Sequence, residues 1–128
     1  MVLPPLALVS VVALAAGDWH LVGETAAGDK VSASSVRVLK NNQRTAWVRV
    51  EYKTPTRLPQ GGPFVEIRAR VHFNCAKGTS VPTAEWFYSR DRSGKLVVSK
   101  KATHDSQFGQ SSEGGFEEMT RDYVCKQR

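Results

Sequence analysis

The residues best able to do chemistry in this chain stand on one short run, Val65-Glu-Ile-Arg-Ala-Arg-Val-His-Phe-Asn74, where Glu66, Arg68, Arg70 and His72 take alternate positions. Their alternation with Val65, Ile67, Ala69, Val71 and Phe73 predicts a strand with one dry face, so the polar set projects together from the wet side. Such a set suits cleavage of RNA. A carboxylate or imidazole takes the 2′-hydroxyl proton, a second acid protonates the leaving oxygen, and arginine steadies the phosphate. A partner for His72 would have to come from His20 or His104. Solvation is the simpler reading, because alternating charge is the ordinary pattern on the wet face of an antiparallel sheet.

Other reaction classes find less support. No G-x-S-x-G elbow, P-loop or dinucleotide-binding glycine pattern occurs. No cysteine or histidine pair has metal-ligand spacing, so neither a metal nor a cofactor is expected. The expectation is a protein that is not an enzyme, with a small secreted ribonuclease as the alternative.

Binding chemistry is better represented. The formal net charge is +6, and residues 1–16 hold none of it. A basic surface favours polyanions or simply keeps a protein soluble. The cations fall into two groups: Arg49, Lys53, Arg57, Arg68 and Arg70 around one pair of strands, and Arg90, Arg92, Lys95, Lys100 and Lys101 around a later hairpin. Either could hold a sulfated glycan or an acidic protein segment; no specific nucleic acid is expected. Lysine and arginine on an edge strand also prevent sheets from adding edge to edge. Trp47 and Trp86 lie beside these groups and could serve as interface anchors, although tryptophans in so small a domain are more often core.

The elements that must position these residues are mostly strands. Thr45–Lys53 alternates like the run above, with Ala46, Val48, Val50 and Tyr52 inward and Trp47 on the polar side. The connection Thr54–Pro63 carries three prolines and two glycines, which predicts a long loop and a plausible binding element. Trp19–Glu24 and Lys30–Val31 read as a first hairpin, Ser32–Ser35 as a turn, Val36–Lys40 as a return to extended structure, and Asn41-Asn42-Gln43 as a turn. Thr83–Ser89 and Lys95–Lys100 flank Arg90-Asp-Arg-Ser-Gly94 as a last hairpin. Over Glu113–Val124 the spacing becomes helical, with Phe116, Met119, Thr120 and Tyr123 on one face and Ser111 or Ser112 as the cap. The expected fold is therefore α+β: an antiparallel meander of about six strands packed by a C-terminal helix.

The start of the chain reads as an address. Residues 1–16 are uncharged and end in Ala13-x-Ala15, the pattern of a signal peptide with its cleavage site, which leaves 17–128 as a single domain. About sixteen residues containing two prolines fall short of the roughly twenty that a membrane span needs. No lipid-attachment cysteine follows, so the product is expected in the periplasm or outside the cell. In an oxidising compartment the two cysteines, Cys75 and Cys125, are expected to pair. Closing a loop of about fifty residues is worth on the order of 4 kcal/mol in the chain-entropy account.

The order of Trp19, Trp47-Val-Arg-Val-Glu-Tyr52, Leu58-Pro-Gln-Gly-Gly62, Phe73-Asn-Cys75, Trp86-Phe-Tyr88, Gly94-Lys-Leu-Val-Val98 and Val124-Cys125 resembles the surface-adhesin protein E-like family of exported bacterial proteins. The resemblance implies an antiparallel sheet packed by a helix and tied by a disulfide, in agreement with the reading above. It also implies a binding protein for host matrix or plasma proteins. The expected function is adhesin-like recognition of an extracellular protein or sulfated glycan through a basic face. Pairing of the chain with itself as an envelope component, as a homodimer, is a further alternative.

Overall fold

The computed structural model describes residues 18–103 and 116–127. Six strands follow one another, β1 (His20–Glu24), β2 (Lys30–Leu39), β3 (Gln43–Leu58), β4 (Gly61–Asn74), β5 (Thr79–Arg90) and β6 (Leu96–Ala102), before the helix α1 (Phe116–Cys125). Each strand pairs antiparallel with the next, and the order across the sheet is the order in sequence. The expected meander is present.

Turn chemistry accounts for this order. Lys40, Asn41 and Asn42 connect β2 to β3, and Asn41 and Asn42 both adopt left-handed φ values, 59° and 57°, which asparagine tolerates better than most residues. Between β5 and β6 the Asp91 carboxylate accepts hydrogen bonds from the Ser93 and Lys95 amides and the Ser93 hydroxyl. The Ser93 side-chain bond is the chief reason that carboxyl sits below its ordinary range. These local bonds close hairpins before any distant contact is needed.

One face of the sheet is dry. Val31, Ala46, Val48, Val50, Ala69, Val71 and Phe73 bury there beneath Phe116 and Val124 of α1. Met119 and Tyr123 pack at its flanks. Thr120 is also fully buried, and its hydroxyl donates back to the Phe116 carbonyl at 2.8 Å, which removes the cost of an unpaired polar group. The helix side chains expected to face inward do so, with Val124 added. The Ser111 or Ser112 cap and the start of the helix at Glu113 lie outside the described residues. Cys75, next after β4, bonds Cys125, the last residue of α1, and so fixes helix to sheet as expected.

On the same face a second cluster joins Phe64, Ile67 and Phe87, with Tyr52 and Leu58 against it. Phe64 and Phe87 meet at 5.0 Å between ring centroids. Burial pushes the Tyr52 hydroxyl up to about 12, with the Asp29 and Glu85 carboxylates adding to it. Glu85 itself is a buried carboxylate on the dry face, 1% exposed, opposite Ala69. Nothing in the alternation around it foretold that.

Three expectations are corrected. Thr54–Pro63 is not a loop: β3 continues to Leu58 and β4 begins at Gly61, so the prolines and glycines build a projecting hairpin arm. Strand geometry survives because the pairing is irregular between Glu51 and Leu58, where prolines need not donate. The same irregularity shifts the alternation, so Phe64 rather than Val65 is buried. Ser32–Ser35 is likewise not a turn; it lies within β2, and a bulge with Ser35 at φ 55° takes up the kink.

Candidate functional site

Alternation sends every second side chain of the strands away from α1, and the register aligns them in rows across the sheet. The central row is Leu21, Ser32, Arg49, Arg68, Trp86 and Lys101. On one side of it run Lys30, Glu51, Glu66 and Tyr88. On the other run Ser34, Trp47, Arg70 and Ala84, followed by Arg37, Thr45, His72 and Val81. This face, opposite α1, mixes cations with aromatic rings.

The cations lie on the rings. The Arg49 guanidinium carbon is 4.7 Å from the Trp19 centroid, and that of Arg68 is 4.6 Å from the Tyr88 centroid. Arg70 covers Trp47 at 5.5 Å and the Lys101 ammonium covers Trp86 at 5.1 Å. Trp47 and Trp86 reach over β4 to meet at 5.2 Å, so Arg70, Trp47, Trp86 and Lys101 make one continuous stack. Each such cation–ring contact contributes about 0.5–1 kcal/mol at a solvated site, and it orients the charge.

The charges differ in their neutralisation. Arg49 pairs with Glu51 at 3.5 Å and Arg68 pairs with Glu66. Among the described residues, Arg70 and Lys101 have no carboxylate within ion-pair distance. The tryptophan stack therefore carries an unneutralised cation at each end, and Lys30 and Arg37 on the same face also lack an ion pair among the described residues.

The two groups of cations expected from the sequence are thus regrouped. Arg49, Arg68 and Arg70 come together, and Lys101 joins them rather than its neighbours in sequence. Lys100 points to the other side, opposite Phe87, beside Gln60 and Ser99. Lys53 stands at the root of the arm, where its amide donates to the Asp29 carboxylate, and Arg57 on the arm donates to the Gly62 carbonyl. Arg90 donates to the Gly94 carbonyl, while Arg92 and Lys95 stay exposed in and beside the same turn. Trp19, Tyr88 and Arg37 complete the face and are not among the binding residues expected from the sequence. Strand parity on β5 would have placed Tyr88 beside Trp86, but Arg37 depends on the β2 bulge, which leaves no sequence pattern of its own.

The set proposed for RNA cleavage is not assembled among the described residues. Glu66 is 7% exposed and committed to Arg68, and His20 stacks on Tyr123 of α1 at 5.0 Å, on the opposite side of the sheet from His72. His104 lies outside the described residues. No group of three potential metal ligands occurs among the described residues.

Two concavities adjoin the face. The larger, about 600 Å³, lies at the root of the arm and mixes Glu51 and Glu66 with Lys53 and Arg90, so it carries no dominant charge. The smaller, about 220 Å³, is lined by Ser35, Arg37, Thr45, Ala46, Trp47 and Arg70 and has no acidic wall.

Compared with known families, the sequence matches the surface-adhesin protein E family over residues 19–126, from Trp19 to the residue after Cys125. The chain belongs to that family. No curated protein and no solved structure matches it. As a surface-adhesin E member it is an adhesin-like surface protein whose family points to an exported product, to extracellular partners and to binding rather than catalysis. No described helix of this adhesin-family chain is long and apolar enough to cross a membrane.

Proposed function

We propose that this adhesin-family chain is exported by cleavage of residues 1–16, leaving 17–128 as the working domain, and that it binds an extracellular protein or sulfated glycan through the sheet face opposite α1. The observation that carries this reading is the stack of Arg70, Trp47, Trp86 and Lys101, an aromatic patch with unneutralised cations at both ends. Interfaces draw most of their affinity from a few such aromatic and arginine side chains. Half-buried rings held by their neighbours also lose little conformational freedom on binding. The mature protein is periplasmic or secreted in this reading, and no reaction is assigned to it.

The test is capture of the disulfide-bonded protein on immobilised matrix proteins and heparin. Charge reversal at Arg70 and Lys101 should weaken capture at least tenfold, on the scale of interface hot spots. Reversal at Lys100, on the far side of the sheet, should leave it unchanged. Equal losses at Lys100 and Lys101 would show a diffuse charge effect and remove the face from consideration.

A further inference from the structure

The small recess beside Trp47 has features that the rest of the face lacks. The bulge between Ser34 and Arg37, with Ser35 in the left-handed region, turns β2 so that Ser35 and Arg37 border the same hollow as Thr45, Trp47 and Arg70. Two guanidiniums and two hydroxyls therefore surround about 220 Å³ with no carboxylate among the lining residues. That volume is below what a drug-sized ligand occupies, and suits one anionic group with part of the ring that bears it.

We propose that this recess is a subsite for an O-sulfate group of a sulfated glycan chain, with Arg37 and Arg70 as the residues that select it. The proposal rests on the binding role given above and names the ligand class for that face. Guanidiniums donate in planar forks, and hydroxyls add donors from other directions, so the set suits the three terminal oxygens of a sulfate ester better than a planar carboxylate. Trp47, held between Arg70 and Trp86, is the aromatic part of the lining and fixes Arg70 at the edge of the recess. Lys101, at the far end of the tryptophan stack, receives a later anionic group along the same chain.

Single-stranded nucleic acid fits less well, although it too is a polyanion. Its affinity depends on bases stacking against open aromatic faces. Trp47 is taken by Arg70 and Trp86, and Trp86 by Trp47 and Lys101. A ligand that engages the outer N–H groups of the cations meets no such obstacle.

Calorimetric titration of the disulfide-bonded protein at fixed ionic strength tests this, with a size-fractionated heparin oligosaccharide, its O-desulfated form, single-stranded DNA and polyglutamate as the probes. The heparin oligosaccharide should bind best and the O-desulfated form at least tenfold more weakly. Arg37→Ala and Arg70→Ala should each weaken heparin about tenfold, the scale of one charge-assisted hydrogen bond. Arg121→Ala on α1 removes the same charge far from the recess and should change nothing. Tighter binding of DNA or polyglutamate, indifference to O-desulfation, or wild-type affinity in Arg37→Ala overturns the recess as a sulfate subsite. If heparin fails to bind at all while matrix-protein capture still depends on Arg70 and Lys101, the subsite is overturned and the broader binding reading stands.

Discussion

Arg49 and Arg68 stand directly opposite each other on β3 and β4, and each is neutralised by a glutamate two residues along its own strand rather than across the pair. Like charges in facing positions destabilise a sheet. Here Glu51 and Glu66 also face each other, so the four side chains form a square in which attraction runs along the strands and repulsion across them. Burial is unequal within the square: the Glu66 side chain is 9% exposed and that of Glu51 42%.

Glu66→Gln should therefore destabilise the fold by about 2 kcal/mol, because it strands a partly buried guanidinium. Glu51→Gln should cost less than about 0.5 kcal/mol, as expected of an exposed pair. Urea unfolding of both variants checks the difference, and equal costs would refute the unequal square.

The helix is expected to depend on its covalent tie. Replacing both Cys75 and Cys125 by serine should lower stability by on the order of 4 kcal/mol. Hydrogen exchange on the reduced protein should show amides of Phe116–Cys125 losing protection before those of β3 and β4, since no strand pairing holds the helix.

The arm has a sensitive point at its tip. A Cβ on Gly62 would lie 2.9 Å from the Thr56 carbonyl oxygen, on a backbone with φ of 119°. Gly62→Ala should cost about 2–3 kcal/mol, combining strain with a clash against backbone. Gly94 also has a positive φ, 86°, but open space around it, so Gly94→Ala should cost only about 1 kcal/mol. Thermal unfolding of the two variants should separate them in that order.

Tyr52 gives a pH signature. Its hydroxyl is raised from 10.0 to about 12 in the folded protein, so between those values the unfolded chain has lost a proton that the folded one keeps. The stability tied to Tyr52 is fully present below pH 10 and is lost as pH rises toward 12, at roughly 1.4 kcal/mol per pH unit. Tyr52→Phe should flatten that decline, and tyrosinate absorbance of the wild type should show one late-titrating phenol.

Much of this was legible in the sequence where local physics decides the outcome. Ile67–Phe73 and Thr45–Lys53 show their dry faces by alternation, Asn41-Asn42 shows its turn by backbone preference, and two cysteines in a chain with an export-like start show their bond. What was not legible depends on lateral neighbours. Trp47 could be placed on the polar side of its strand, but that it meets Trp86 over β4 follows from the register of three strands. Lys101 and Lys100 are adjacent in sequence and face opposite sides, so a cluster of lysines in the chain was not a cluster on the surface. The arm does not follow from the sequence because proline and glycine end regular pairing, yet irregular pairing tolerates both.

The Cys75–Cys125 bond also sets how a pull travels through the molecule. Tension applied to the chain beyond Cys125 passes through the sulfurs straight into the end of β4, the strand that carries Arg68 and Arg70, without first being borne by α1, β5 or β6. The roughly fifty intervening residues are mechanically bypassed while the bond is intact. A partner seated on the open face would then load the sheet interior directly, so detachment under flow should be governed by the bound face before any unravelling of the helix.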